Sequence, residues 1–156
     1  MSLQKVKEYF KQFKIDNKIQ EFEVSSATVD LAAKALGCAP ERIAKSLSFM
    51  VNSTPIIIVT AGDARIDNVK YKAHFSVKAK MLTYEQVEEL IGHKVGGVCP
   101  FAINEGVQVY LDNSLKRFET VFPACGSSNS AIELSIAQLE QYSNYISWLD
   151  VCKLPE

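Results

Sequence analysis

The chain has 156 residues, 47% hydrophobic and 22% charged, enough to bury a core in one compact domain and too apolar for a disordered or low-complexity protein. Its net charge of −1 excludes a protein that wraps a long stretch of nucleic acid, since neutralising many phosphates needs a large cationic excess. Any nucleic-acid contact is therefore expected at a short segment, such as a terminus, or with help from a partner.

The chain opens with Met1–Lys18, which is lysine-rich and lacks the apolar segment of a secretion leader. Leu3, Val6, Phe10 and Phe13 recur at helical spacing, so residues 2–14 read as an amphipathic helix. The polar break Asp16-Asn17-Lys18 follows, then a strand over Glu21–Val24. Thr28 caps a second helix running to Leu36, with Asp30 near its positive end and Gly37 as its stop. Pro40 opens a further short helix that carries Glu41–Ala44 and ends near Lys45.

Leu47–Val51 and Pro55–Thr60, split by Asn52-Ser53-Thr54, read as a hairpin whose second strand begins at Pro55. Ile56-Ile57-Ile58-Val59 shows no polar alternation and is expected to be buried on both faces. Asp67–Phe75 reads as helix. Thr83-Tyr84-Glu85-Gln86 has the form of a capping box, opening a helix that stops at Gly92. Val107–Leu111 alternates like a strand, and Thr120–Ala124 and Ala131–Leu134 flank a loop centred on Gly126. Ser135-Ile136-Ala137-Gln138 is a second capping box, opening the last helix, and Ile146–Val151 is a closing strand or an irregular stretch. The order predicts a single domain over 1–156, of α+β or α/β class, with a mixed sheet. No internal repeat is visible.

The longest apolar run, Pro55–Val59, is far too short to span a bilayer. No membrane partner and a reducing, cytoplasmic setting are expected. Cys38, Cys99, Cys125 and Cys152 form no C-x-x-C pair and are irregularly spaced. With His74 and His93 as the only histidines, they make neither a zinc site nor a disulfide framework, so free thiols and no metal are expected.

Four segments have chemical potential, each with a bland alternative. Gly96-Gly97-Val98-Cys99-Pro100-Phe101 permits unusual backbone angles and close approach of a ligand, with N–H groups that polarise a carbonyl or bind an oxyanion; equally, it is a tight loop. Cys99 inside it reads as nucleophile or as small apolar filler. Lys45 sits between a short helix and a core strand, as a phosphate-binding point charge or as a solvated lysine at a helix end. Ala61–Asp67 follows the most buried strand as a functional loop or the cap of the next helix. Cys125-Gly126-Ser127-Ser128-Asn129-Ser130 is an anion- or ribose-binding loop or a hairpin turn. No nucleophile elbow and no Walker loop is present.

The order and spacing of these pieces carry a resemblance. The capped helix Thr28–Leu36, the run Pro40-Glu41-Arg42-Ile43-Ala44-Lys45-Ser46-Leu47, Ala61-Gly62-Asp63, the turn Gly96–Phe101, Val109-Tyr110-Leu111-Asp112 and the Gly126 loop before Ile132-Glu133-Leu134 together resemble the YbaK/EbsC family, related to the editing domain inserted in bacterial prolyl-tRNA synthetases. The resemblance is strongest over 20–140. It implies a mixed β-barrel-like sheet surrounded by helices. It also implies a free-standing aminoacyl-tRNA deacylase that hydrolyses the ester of a mischarged tRNA, typically alanine or cysteine on proline tRNA. Lys45, Gly96, Gly97 and Pro100 become the catalytic set, with Lys45 anchoring the phosphate at the tRNA 3′ end and the turn binding ester and water. Phe22, Thr28, Asp63, Asp112, Gly126 and Ser127 become substrate-binding residues, with Leu31 beside them on a pocket wall. No cofactor is implied. The partners are the aminoacylated acceptor end and, beyond it, an aminoacyl-tRNA synthetase. Cysteine stands at position 99 where many relatives carry serine, and Ser127–Ser130 does not reproduce a family pattern that assigns amino-acid specificity. Two other readings remain: a non-catalytic module that binds a nucleotide or acceptor end, and a Schiff-base enzyme using Lys45.

Overall fold

The computed structural model describes residues 2–155; Met1 and Glu156, the ends of the expected domain, lie outside the described residues. The elements in chain order are α1 (Ser2–Lys11), β1 (Gln20–Glu21), α2 (Val29–Leu36), β2 (Ile43–Val51), β3 (Thr54–Ala61), β4 (Arg65–Ile66), α3 (Asn68–Phe75), α4 (Tyr84–Gln86), β5 (Gln108–Asp112), β6 (Thr120–Pro123), β7 (Ser130–Ala131), β8 (Leu134–Ser135), α5 (Ile136–Ser143), β9 (Ser147–Leu149) and β10 (Cys152–Lys153).

A curled mixed sheet of six strands, in the order β8-β6-β2-β3-β5-β9, forms the frame. Its centre is the β2–β3 hairpin, paired without a break from Ala44↔Ala61 to Val51↔Thr54. Asn52 takes the left-handed conformation at the turn, φ 55°, as short antiparallel connections favour. The flanking pairs β2–β6, β3–β5 and β5–β9 are parallel, and β6–β8 is antiparallel. Ile56 to Val59 are at most 1% exposed. The unbroken apolar run thus becomes a strand covered on both faces, as its composition predicts. Two short pairs, β1–β7 and β4–β10, stand outside this sheet.

The helices pack where their apolar stripes dictate. Val6 and Phe10 of α1 are fully buried, and the Phe10 ring lies 4.7 Å from Phe101 and 5.7 Å from Tyr142 between centroids. Thr28 Oγ1 accepts from Leu31 N–H at the start of α2, and Gly37 ends it at φ 70°. Both expected capping boxes form, at Thr83–Gln86 and Ser135–Gln138. Asp67 caps α3 through Val69 and Lys70 N–H, the bland alternative for that residue.

Several boundaries differ from the sequence expectation. Pro40–Arg42 makes one 3-10 turn, and the strand begins at Ile43, so the expected helix over Glu41–Ala44 does not form. The reason is non-local: Ile43 and Ala44 pair with Phe122 and Pro123 on one side, and Ala44 with Ala61 on the other. Lys45 therefore stands inside a central strand rather than at a helix end. The strand expected over Glu21–Val24 is reduced to Gln20–Glu21, because Phe22 N–H donates to the Asn129 carbonyl in a loop. Helix α1 ends at Lys11, short of residue 14, where Lys14 has φ 61°. Helix α4 continues as a π turn, Val87–Ile91, before its expected stop at Gly92. Ile146–Val151 contributes the short strand β9.

Candidate functional site

Two cavities meet at Lys45. The first, of about 470 Å³, is predominantly apolar and lies against the N-terminal part of β2, from Ile43 to Ser48. Thr28, Val29 and Ala32 at the capped helix, Gly96 and Val98 of the glycine turn, and Phe122, Ser130 and Ala131 also line it. Its size is within the range of small-molecule sites. The second, of about 860 Å³, is more polar and is lined by Asp30, Asp63, Arg65 and Lys153 around Lys45.

The placement of Lys45 follows from the hairpin. Its neighbour in register is Thr60, so the loop after β3 returns directly over it. The ammonium donates to the carbonyls of Ala64 at 2.6 Å and Gly62 at 3.3 Å. A lysine ammonium has three donors, so one N–H remains for a ligand. Burial lowers the Lys45 pKa from the ordinary lysine value; Cys152 and Asp63 oppose that shift, and Arg65 adds to it. Asp63 is held by a two-pronged contact with Arg117, at 2.5 and 3.1 Å. That contact pulls the Asp63 carboxyl below its ordinary value.

The glycines set how closely the loops approach. A Cβ at Gly62 would stand 2.0 Å from the Pro40 carbonyl oxygen, and one at Gly97 would stand 2.6 Å from Ser127 N and 2.7 Å from the Gly126 carbonyl carbon. The Gly96-Gly97 turn is thus seated on the Gly126-Ser127 backbone, joining two segments that the sequence singled out separately. Gly96, at φ 97°, lines the apolar cavity. Gly97 and Pro100 are buried behind it and line neither cavity described above.

The remaining expected residues divide in the same way. Thr28 lines the apolar cavity and Asp63 the polar one. Phe22, Asp112, Gly126, Ser127 and Leu31 line neither. Asp112 is buried, its carboxylate accepting from Ser114 N–H at 2.9 Å and Val151 N–H at 3.0 Å. Gly126 takes φ 91° against Ser2. Ser127 Oγ bonds Asn129 Oδ1 at 2.9 Å and Ser130 Oγ at 2.6 Å. Phe22 is tied to Asn129 through its backbone. Phe22, Gly126 and Ser127 thus brace the Gly126–Ser130 loop beside the cavity, whereas Leu31 is exposed on α2.

Cys99 is fully buried, and burial pushes its thiol up to about 12; a thiolate nucleophile is not available there at neutral pH. Its Sγ lies 3.5 Å from His93 Nε2, itself 2.7 Å from the Phe101 carbonyl. Residues that sequence reasoning did not single out also line the apolar cavity: Ser46, Ser48, Met81 and Tyr84. Ser46 Oγ is shielded and has no hydrogen-bond partner among the described residues. The alternation Ser46-Leu47-Ser48 within an apolar strand was the available signal, since period-two serines mark one strand face. Among the described residues, no group of three His, Cys, Asp or Glu side chains is arranged to hold a metal, and no helix is long and apolar enough to cross a membrane.

Comparison with known proteins bears on this geometry. A family model described as "Aminoacyl-tRNA editing domain" matches residues 23–142. The Bacillus subtilis (strain 168) protein "Uncharacterized protein YwhH" is 53% identical over 154 residues, covering 98% of each chain. The proline–tRNA ligase of Aquifex aeolicus (strain VF5) is 32% identical over 90 residues, 56% of this chain but 16% of the ligase. A solved structure described as a "putative trans-editing enzyme for prolyl tRNA synthetase" superposes with a TM-score of 0.87 at 25% identity, covering 97% of each chain.

Proposed function

The chain belongs to the aminoacyl-tRNA editing domain family, and from that premise we propose that it is a free-standing, cytoplasmic deacylase that hydrolyses the ester of a mischarged tRNA. The observation that carries this reading is the position of Lys45 on the wall shared by an apolar and a polar cavity. A small aminoacyl side chain, such as alanine or cysteine on proline tRNA, enters the apolar cavity. The terminal nucleotide lies in the polar one, and the ester between them falls beside Lys45.

An aminoacyl ester is already activated, so its hydrolysis requires orientation more than a strong nucleophile. Lys45, oriented by the Gly62 and Ala64 carbonyls, gives its remaining N–H and its charge to the phosphate of the terminal nucleotide. The Gly96 turn binds the ester carbonyl and orients water. Gly97 and Pro100 act by holding that turn in place. The shielded Cys99 thiol takes no part. The Bacillus subtilis relative is matched over 98% of its own length, so in that relative the domain occurs without a fused ligase, which supports this reading. A synthetase remains a partner in this reading, delivering the mischarged tRNA.

The test is a panel of alanyl-, cysteinyl-, seryl- and threonyl-tRNA incubated with the purified protein and with Lys45→Ala. Hydrolysis of at least one ester, lowered at least about tenfold by the substitution, is expected. Loss of one charge-assisted hydrogen bond has that size. Ester half-lives unchanged across the whole panel would refute the deacylase assignment. Tight acceptor-end binding without turnover would instead favour a binding module.

A further inference from the structure

The polar cavity contains a charge arrangement that folding stability does not explain. In the β4–β10 pair, Arg65 and Lys153 stand directly opposite each other. Directly opposed residues of an antiparallel pair project to the same face, and like charges there are destabilising. Both side chains line the cavity shared with Lys45. Neither makes a salt bridge among the described residues. Of the two acids among the described residues of that wall, Asp63 is already neutralised by Arg117, which leaves Asp30 beside three cations.

From this juxtaposition we infer that Arg65 and Lys153 form a second anion site, which receives the phosphodiester preceding the terminal nucleotide while Lys45 serves the terminal one. The inference rests on the acceptor-end reading above and adds two residues to it. Lys45 alone is a poor anchor for a two-phosphate segment, because two of its three donors are held by carbonyls. Arg65 and Lys153 are exposed and form no salt bridge among the described residues, and an arginine fork suits a phosphate. The arrangement also reconciles nucleic-acid binding with a net charge of −1, since the cations are concentrated where a short single strand would lie. Arg65 lies within the residues matched by the family model and Lys153 beyond them, so the pair is brought together by the β4–β10 contact.

The experiment compares wild type, Arg65→Gln/Lys153→Gln and Lys153→Glu in three measurements. These are binding of an uncharged RNA hairpin with a single-stranded CCA end at several salt concentrations, steady-state deacylation of mischarged tRNA, and thermal melting. The double variant is expected to raise the RNA Kd and the deacylation KM at least about tenfold with kcat within twofold, and to flatten the salt dependence by about 0.7 in log–log slope for each phosphate no longer neutralised. Lys153→Glu should weaken RNA binding while melting at or above the wild-type temperature, because it replaces a like-charge pair by an opposite-charge one. A merely structural role would move affinity and stability together. Wild-type RNA binding that is absent, or that keeps its affinity and salt slope in the double variant, overturns the inference. If wild type binds RNA with the expected variant effects but hydrolyses no ester, the second phosphate site stands and the deacylase reading falls.

Discussion

The Lys45 ammonium nitrogen lies 2.6 Å from the carbonyl oxygen of Ala64. The contact joins a central strand to the loop that follows its hairpin partner. It orients the side chain before any substrate arrives, while partial burial disfavours the charge. The Lys45 side-chain carbon resonances of labelled protein are therefore expected to titrate with a midpoint below the ordinary lysine value of 10.5. The unfolded chain then binds the extra proton between the depressed folded pKa and 10.5, so this group adds stability as pH rises through that window. A midpoint at or above 10.5 would mean that Lys45 is solvated and not held as described.

The seat of the glycine turn is testable by two alanine substitutions. At Gly97 the new Cβ meets backbone at 2.6 Å, whereas at Gly106 it meets open space, although φ there is +88°. Gly106→Ala should cost about 1 kcal/mol from the backbone conformation alone. Gly97→Ala should cost more, in the range of about 1–3 kcal/mol for overpacking or beyond it, and should also lower deacylation by displacing Gly96. Urea unfolding midpoints compare the two; equal losses would contradict the tight seat on Ser127.

His93 is fully buried, and its Nδ1 has no hydrogen-bond partner among the described residues. Burial lowers its pKa from 6.5, against the opposing effect of the Phe101 carbonyl. The unfolded state therefore takes up the proton first as pH falls. The stability associated with neutral His93 is fully present above 6.5 and is lost as pH falls towards the folded value. The melting temperature should decline between pH 7 and pH 5, and less steeply in His93→Gln. Parallel pH profiles for the two proteins would remove His93 as the cause.

The cysteines offer a direct check on the absence of a thiol nucleophile. Cys99 and Cys125 are fully buried with raised pKa values, whereas Cys38 is only partly covered. Iodoacetamide at neutral pH should label Cys38 well before Cys99 or Cys125, as read by peptide mass spectrometry. Cys99→Ala should keep deacylation within about twofold of wild type, since the thiol touches His93 and Phe101 rather than the cavity. A loss of a hundredfold or more in a folded Cys99→Ala protein would restore it as a reacting group.

Much of the fold was legible because its determinants act within a few residues. The cap at Thr28, the stop at Gly37, both capping boxes and the buried Ile56–Val59 strand are set by local hydrogen bonds and side-chain pattern. The resemblance likewise led to the family, and among the residues it implied, the fold puts Lys45, Gly96, Thr28 and Asp63 on cavity walls. Other outcomes depended on partners remote in the chain. Ladder pairing on both sides turned the expected helix before Lys45 into strand. Asp112 entered only through the resemblance, as a substrate-binding residue, and the fold shows its carboxylate turned inward to Ser114 and Val151. The seating of Gly97 on Ser127 and the opposition of Arg65 to Lys153 arise where separate segments meet. By itself, then, the sequence determined the local elements and the side-chain chemistry on offer. The tertiary structure decided which groups face a cavity and which serve as braces, because long-range pairing and close packing fix a side chain's direction and no local pattern encodes them.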